Sequence, residues 1–395
     1  MKTAPRARAA IIAKKLFRFP RFGVPALAGA ALGGPALAKW SATGMRSVRR
    51  LKAGLRTKRS AEHCSARTER IRSGRAMLGA PVALFALALL LFTLVSLRAG
   101  EPVNPVEFRH ARITDAWEKY AGVLTFGRGQ TLALVDDGCK LAMPAWTATV
   151  DGVPKVRVAW DAVDGDNDPK HEGRGYHGST IGIPSSVNLG GKWGVAYNNQ
   201  VAVIRGLECC HCKIADSAPL ARALQWIIEH HAEHRITTVN LAPVDDLAHG
   251  APVPTEIDAP LAKLRELGIW VSAPAGNHHF TNGISWPASQ PNCFAIGAVK
   301  PGVDLVILDR DAKVVLVVPA SATSSSNAIA CGAAMILREA IERSGYPWKT
   351  DGKNLPEAML AIFQKTGQAV ADPATKLTFR RLDLLAALDH VMKRP

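Results

Sequence analysis

The sequence predicts an α/β fold with a mainly parallel β-sheet. Two features of the chain beyond residue 100 indicate this fold. Short apolar runs such as Leu132–Val135 and Val201–Ile204 recur along the chain, and longer segments with helical spacing of apolar residues, such as Leu220 and Leu224, lie between them. Strands that alternate with helices are typical of a parallel sheet covered on both faces, so we expect three layers.

The predicted elements follow in chain order. The strands are expected at Leu132–Val135, Val201–Ile204, Ile236–Leu241, Ile269–Ala273, Cys293–Val299 and Val314–Val318. The helices are expected at Ser217–His231, Pro260–Leu267, Ala328–Glu342, Leu355–Thr366 and Leu382–Val391. Ser217 suits an N-cap and Pro260 suits the first position of a helix. We expect the segment before the first strand to pack on the domain as a leading helix.

The basic residues are concentrated at the amino terminus. The net charge is +16, but residues 1–76 hold 19 Lys and Arg against two acids, and the remainder holds 30 basic and 31 acidic residues. The excess positive charge therefore belongs to a tail, and we expect no nucleic-acid partner. This tail is rich in Ala, Gly, Pro and Arg, so residues 1–75 are predicted to be disordered and cytoplasmic.

A long apolar run follows the tail. From Ala76 to Leu97 only the small hydroxyls of Thr93 and Ser96 interrupt the apolar character at the end of the run, and 22 helical residues span roughly 30 Å, the thickness of a bilayer core. We predict a transmembrane helix or signal-anchor over 76–98, with the later residues outside the cell. A buried core helix is one alternative. The other is a start at Met45 with signal cleavage near Ala99, which would secrete the protein.

Three polar groups occupy positions where α/β folds build sites. Asp136 follows a buried strand, at the sheet edge that commonly carries ligands and catalytic residues. His177 lies beside Gly178 at an expected helix start, and Ser324 precedes a helix of small residues, whose free N–H groups can stabilise an oxyanion. Each alone fits a turn, core or cap residue. Together, an acid, an imidazole and a hydroxyl supply the groups for acyl transfer.

These segments resemble the subtilisin-like serine proteases over about residues 120–390. Asp136-Asp137-Gly138 is similar to the family's Asp-Ser/Thr-Gly segment, His177-Gly178-Ser179-Thr180 to its His-Gly-Thr box, and Thr323-Ser324 to its Gly-Thr-Ser box. Gly194-Val195-Ala196 is similar to the family's Gly-Val-Ala turn, and Ala275-Gly276-Asn277 to its Ala-Gly-Asn segment. The order Asp, His, Ser is that of subtilisin.

The resemblance implies a serine endopeptidase that acts on peptide or protein substrates through an acyl-enzyme intermediate. In this interpretation, His177 takes the proton of Ser324, Asp136 orients the imidazole, and Asn277 binds the oxyanion together with the Ser324 N–H group. No cofactor is required. The peptidase domain is predicted over 120–395, after a leading segment at 99–119.

The chain departs from the family pattern near the site. Ala322 replaces the Gly before Thr-Ser, and Ala328 replaces the Pro four residues after the nucleophile. The family's substrate strand Ser-Leu-Gly corresponds to Ala242-Pro243-Val244, and Pro243 has no N–H group to pair with a peptide. These departures leave the triad intact but keep open an alternative: a catalytically impaired subtilisin-fold protein that binds peptides or partners.

Two further clusters are candidates for other chemistry. Asp164, Asp166 and Asp168 alternate before His177, as oxygen ligands of Ca²⁺ often do, so a structural calcium ion is one prediction and a solvated acidic loop is the other. The run Cys209-Cys210-His211-Cys212 is compatible with a soft metal, a disulfide or ordinary thiols.

Overall fold

The structure is a computed structural model, and it describes residues 100–170, 177–209 and 211–392. The predicted tail (1–75) and the predicted transmembrane helix (76–98) lie outside these residues. Within the described ranges, no helix is long and apolar enough to cross a bilayer.

The strands are β1 (Glu101–Pro102), β2 (Thr131–Asp136), β3 (Thr149–Val150), β4 (Val153–Pro154), β5 (Val156–Asp161), β6 (Asn188–Leu189), β7 (Lys192–Trp193), β8 (Gln200–Arg205), β9 (Ile236–Leu241), β10 (Trp270–Pro274), β11 (Phe294–Val299), β12 (Val306–Ile307), β13 (Val314–Pro319), β14 (Gln368–Asp372) and β15 (Leu377–Arg381).

The helices are α1 (Pro105–His110), α2 (Ile113–Lys119), α3 (Pro144–Thr147), α4 (His177–Ile181), α5 (Ile183–Ser186), α6 (Ser217–His234), α7 (Asp258–Glu266), α8 (Thr323–Ser344), α9 (Leu355–Thr366) and α10 (Leu384–Met392). Two short 3₁₀ helices lie at Ile214–Asp216 and Trp348–Thr350.

One mainly parallel sheet organises the described residues. Its strands run in the order β14-β15-β13-β11-β10-β9-β2-β8-β5, and β12 pairs with β11. The pairs β14–β15 and β11–β12 are antiparallel, and the other neighbours are parallel. After β2 the chain forms β5 and β8 on one side of β2 and then β9, β10 and β11 on its other side. The direction in which strands are added therefore reverses at β2, which is the switch point of the topology. Ligands commonly bind at the carboxyl end of a strand in that position.

Both faces of the sheet are covered by helices. Along β2, Leu132 and Leu134 join the hydrophobic cluster that contains α8, α9 and α10, whereas Ala133 and Val135 join the cluster that contains α6 and α7. Successive side chains of a strand point to opposite faces, so this alternation requires a layer of helices on each side. The predicted three-layer α/β architecture with a mainly parallel sheet is confirmed.

The leading segment forms two short helices rather than one. Arg112 adopts a left-handed conformation (φ 53°) and separates α1 from α2. Beyond this break, the Trp117 indole N–H donates to the Val195 carbonyl at 3.0 Å, and the Tyr120 hydroxyl donates to Asp389 at 2.7 Å. The segment therefore packs into the core that also holds α8 and α10, as expected.

Several predicted boundaries were wrong. The helix expected at Ala328 begins at Thr323, five residues earlier. The helix expected at Pro260 begins at Asp258, so Pro260 is its third residue; a proline is tolerated there because first-turn N–H groups have no partner inside the helix. Strand β5 and the hairpin of β14 and β15 were not predicted, since their charged residues interrupt the apolar runs.

Candidate active site

Asp136 lies at the switch point of the sheet. It is the last residue of β2 and is 1% exposed. Its Oδ2 lies 2.6 Å from His177 Nδ1, and its Oδ1 accepts the backbone N–H of Asp137 at 2.8 Å. A buried carboxylate held by one N–H group and one imidazole has a fixed orientation, and it can position that imidazole and stabilise its charged form.

The neighbouring Asp137 holds the helix that carries His177. Its Oδ1 accepts the backbone N–H of Gly178 at 2.9 Å. A Cβ atom on Gly178 would lie only 2.2 Å from the Gly138 carbonyl oxygen, so only glycine allows this approach of α4 to the end of β2. The resemblance in sequence selected Asp136 over Asp137 but did not reveal this contact. The only sequence signals were the doubled Asp and the glycine after His177.

The His177 imidazole is 27% exposed, and two opposing effects act on its pKa. Burial lowers the pKa, because the charged form loses hydration. The hydrogen bond and charge of Asp136, with the charge of Asp137, outweigh burial and raise the pKa of His177 above its ordinary value of 6.5. The ring is therefore a stronger base than a free histidine, and its Nδ1 is committed to Asp136.

Ser324 is the second residue of α8 and is half-buried. At this position the backbone N–H has no acceptor within the helix. Helices α4 and α8 approach each other through a small cluster of Ile181, Ala242 and Ala328. Ile181 follows His177 by four residues, as Ala328 follows Ser324, so each candidate lies one turn before the contact on the same helix face. Within the described residues the Ser324 hydroxyl makes no hydrogen bond. In enzymes without substrate, the hydrogen bond between a nucleophile and its base is often long or absent.

Asn277 is joined to the start of α8. Its Oδ1 accepts the backbone N–H of Thr323 at 2.9 Å and lies 3.0 Å from the Thr323 hydroxyl. Asn277 is exposed, and among the described residues no hydrogen bond occupies its Nδ2 group. An amide side chain such as that of Asn277 and a helix-start N–H group such as that of Ser324 are donors of the kind that can stabilise an oxyanion. Sequence analysis did not predict that Thr323 would hold the Asn277 side chain.

The buried Asp309 packs against the turn that carries Asn277. Gly276 has a φ of 116°, and a Cβ atom there would lie 2.1 Å from the Asp309 Oδ2. Asp309 is fully buried, and its Oδ1 accepts the Phe280 N–H at 2.9 Å. Burial raises the pKa of Asp309, whereas backbone donors in this turn oppose the rise. Sequence analysis missed Asp309, because it lies far along the chain from the candidate turn.

The first turns of α8 are fixed to the centre of the sheet. The Asn327 amide donates to Asn240 Oδ1 at 2.7 Å and to the Ser272 carbonyl at 3.0 Å, and all three residues are fully buried. Asn240 belongs to β9 and Ser272 to β10, so the helix start is held against two strands that flank the site. This anchoring keeps the N–H groups of the helix start at a defined place.

The segment Ala242-Pro243-Val244 follows β9 and is paired at its end. Val244 forms a parallel bridge with His211, and the Cys212 N–H donates to the Val244 carbonyl at 2.9 Å. Next to this bridge, His211 Nδ1 lies 2.5 Å from Asp246 Oδ2. The backbone groups used for these contacts come from Val244, so the proline at 243 does not interrupt them.

The other clusters from the sequence have ordinary partners. Arg205 Nη1 donates to Asp161 at 2.8 Å and to Asp164 at 2.7 Å. Asp166 Oδ1 accepts the backbone N–H of Asp168 at 2.9 Å. In the described part of the chain, no three His, Cys, Asp or Glu side chains are arranged to hold a metal ion.

The described cysteines are free thiols. They are Cys139, Cys209, Cys212, Cys293 and Cys331. Cys64 and Cys210 lie outside the described residues. Burial raises the pKa of Cys139 to about 12, so this thiol is not a nucleophile at neutral pH.

Of three comparisons with known proteins, one finds matches. A scan against protein-family models and a search of curated protein sequences both find no match. Among solved structures, the chain is similar to a protease from Pseudoalteromonas arctica. The TM-score is 0.52 at 15% identity, and the match covers 71% of this chain and 98% of that one. At this identity the likeness shows the fold, which is a mixed α/β fold also found in a protease.

Proposed function

We propose that the protein is a serine endopeptidase of the subtilisin-like kind, with Asp136, His177 and Ser324 as its triad and Asn277 as an oxyanion donor. The observation that carries the proposal is the 2.6 Å contact of His177 with a buried carboxylate at the topological switch point. The contact of α4 with α8 supports it, as does the bond of Asn277 to the residue before Ser324. The solved protease of similar fold supports the same class of reaction.

The proposed reaction begins when His177 Nε2 accepts the hydroxyl proton of Ser324 and the oxygen attacks a peptide carbonyl carbon. The carbonyl oxygen becomes an oxyanion, which accepts hydrogen bonds from the Asn277 amide and the Ser324 N–H group. His177 then gives its proton to the leaving amine, and the C–N bond breaks. Water hydrolyses the resulting ester by the same proton transfers in reverse. These steps use protein side chains and water, with no cofactor.

A fluorophosphonate probe tests the proposal, because it reacts only with an activated serine. We expect the wild-type chain to be labelled and to cleave a general protein substrate such as casein, and Ser324→Ala to do neither. The matched control is Ser325→Ala, the adjacent half-buried hydroxyl on the same helix turn, which should keep both properties. An unlabelled wild-type chain of normal fold would contradict the peptidase and favour the impaired, peptide-binding alternative.

We also propose that residues 76–98 tether the catalytic domain to the outer face of a membrane, with residues 1–75 in the cytoplasm. The apolar run and the basic residues before it support this topology. Deletion of residues 76–98 should convert the chain from a carbonate-resistant membrane protein to an extractable one. A wild-type chain that is cleaved near Ala99 and released would instead support secretion.

A further inference from the structure

A polar pocket lies at the amino ends of the parallel strands, opposite the candidate active site. It has a volume of about 320 Å³ and is lined by residues from the amino ends of β2, β5, β8 and β9. Arg128 and Gly129 precede β2, Arg157 is the second residue of β5, and Arg235 immediately precedes β9. The candidate active site is built at the carboxyl ends of the strands, so the two places are separated by the length of the sheet.

Two of the three arginines that line this pocket lack acidic partners, although Asp151 also lines it. Arg128 pairs with Asp151, but Arg157 donates only to neutral oxygens, those of the Gln200 side chain at 2.8 Å and the Glu233 carbonyl at 3.2 Å. Among the described residues, the Arg235 side chain has neither a hydrogen bond nor an ion pair. Two guanidinium groups therefore lie at a concave surface with uncompensated charge.

A third basic group lies deeper in the same pocket. Lys155 is 1% exposed, and its ammonium donates to the carbonyls of Tyr197 at 2.9 Å and Asn199 at 2.7 Å. No carboxylate bonds to it within the described residues, and burial lowers its pKa to about 7. An ammonium has three donors, so two carbonyls leave one of them unused. An anion in the pocket would stabilise the charged form of Lys155 as well as the arginines.

This positive charge is local. Beyond the tail the chain holds 30 basic and 31 acidic residues, so an uncompensated group of arginines does not follow from composition. Arginine presents a planar fork of donors that matches the oxygens of a phosphate group. We propose that the pocket binds a phosphate group through Arg157 and Arg235, with Lys155 beneath them. The proposal does not depend on peptidase activity.

The phosphate could belong to free phosphate or to a phospholipid headgroup, and a neighbouring pocket bears on this choice. That pocket has a volume of about 590 Å³, shares Arg128 and Asn198 with the basic one, and is lined by Trp117, Trp193 and Tyr197. Trp193 pairs with the chain at Pro102, a few residues after the apolar run ends at Leu97. The acyl chain of a phospholipid could therefore occupy the aromatic pocket while its phosphate occupies the adjacent basic pocket.

Calorimetric titration of the full chain in a neutral detergent tests the proposal. The titrants are inorganic phosphate and dihexanoyl phosphatidylglycerol at constant ionic strength. We expect saturable binding by the wild type, weakened about tenfold or more in Arg157→Gln and in Arg235→Gln and abolished in the double variant, because charged hydrogen bonds are lost. Each variant keeps the basic tail, so any binding to the tail cancels in the comparison. Arg380→Gln, an exposed arginine of β15, is the matched control and should bind like the wild type.

The outcomes separate the two sources and can overturn the proposal. Tighter binding of the lipid than of inorganic phosphate, lost in Trp193→Ala, would assign the lipid headgroup. Equal or tighter binding of inorganic phosphate would assign the free ion. If the double variant binds both titrants as the wild type does, while its circular dichroism and melting temperature in chloride match those of Arg380→Gln, the proposal is wrong. A fluorophosphonate-reactive chain with that result would leave the proposed peptidase intact.

Discussion

The two ends of the parallel strands carry charged groups with different partners. The carboxyl edge is the side of the sheet where the strands end, and the amino edge is the side where they begin. At the carboxyl edge, the His177 imidazole lies 2.6 Å from the buried Asp136, and that carboxylate also accepts a backbone N–H. At the amino ends of the strands, the hydrogen bonds of Arg157 and Lys155 within the described residues all go to uncharged oxygens. The paired His177 imidazole has a fixed geometry and a raised pKa, which suits proton transfer. An unpaired charge keeps its attraction for a ligand, which suits binding.

The comparison predicts that variants at one edge leave the other edge unchanged. The largest effect is expected for Asp136→Asn, because the neutral amide no longer stabilises the charged imidazole and favours the wrong tautomer. Turnover of a peptide substrate should fall about 10⁴-fold, with phosphate binding unchanged. Asp137→Asn is the control: its Oδ1 can still accept the Gly178 N–H, so a loss smaller than about tenfold is expected. Equal losses in the two variants would contradict the assignment of Asp136.

Asn277→Ala should have the next largest effect. Loss of one oxyanion donor typically lowers kcat by about 10²- to 10³-fold, while KM changes little since the interaction forms in the transition state. Thr323→Val separates donation from positioning, because its backbone N–H can still hold Asn277 while its hydroxyl is removed. Steady-state kinetics should show a smaller loss for Thr323→Val. A rise in KM alone for Asn277→Ala would argue against an oxyanion role.

The pH profile of kcat/KM should report the raised pKa of His177. The imidazole accepts a proton only when it is neutral, so activity should be low at acid pH and rise through a midpoint above 6.5. In Asp136→Asn the raising effect of Asp136 on the pKa of His177 is lost, while burial and the smaller effect of the Asp137 charge remain, so the midpoint of the residual activity should move to lower pH. A midpoint that stays in place in the variant would show that another group controls the acid limb.

The smallest effect is expected from the amino edge. In chloride buffer, the double variant Arg157→Gln with Arg235→Gln should hydrolyse peptides within about twofold of the wild type, as expected for surface changes far from a site. Rates measured beside those of Arg380→Gln test this. A large loss of turnover in the double variant alone would mean that the two edges are coupled.

The sequence predicted the strands of the parallel sheet well where they are buried on both faces. Strand β9 and helix α9 have the bounds expected from the pattern. The helix is bordered by the N-cap Asn354 and by Gly367, which are residue types that start and end helices. The start of α8 was misplaced, since four successive hydroxyl residues resemble a loop or cap more than a helix. Tertiary contacts of Asn327 with β9 and β10 help hold this turn in the helix, and no local pattern contains them.

The residue types of the candidate site were predictable, but their connections were not. A resemblance in short segments selected Asp136, His177, Asn277 and Ser324. The bond of Asn277 to Thr323 joins residues 46 apart in the chain, and that of Asp137 to Gly178 joins residues 41 apart. Such pairs depend on the register of strands and helices, which a single sequence does not fix. The uncompensated arginines at the amino edge are likewise a property of the folded chain.

The burial of α8 has a consequence for how activity is lost on heating. From Ser326 to Leu337 every residue of this helix is buried, and most of its apolar side chains belong to the larger hydrophobic cluster. The amide hydrogens of such an element exchange with solvent only when the whole domain opens. Ser324 lies in the first turn of this helix, so we expect its side chain to keep its position until the whole domain unfolds. Thermal inactivation should therefore coincide with cooperative unfolding, with no earlier inactive state.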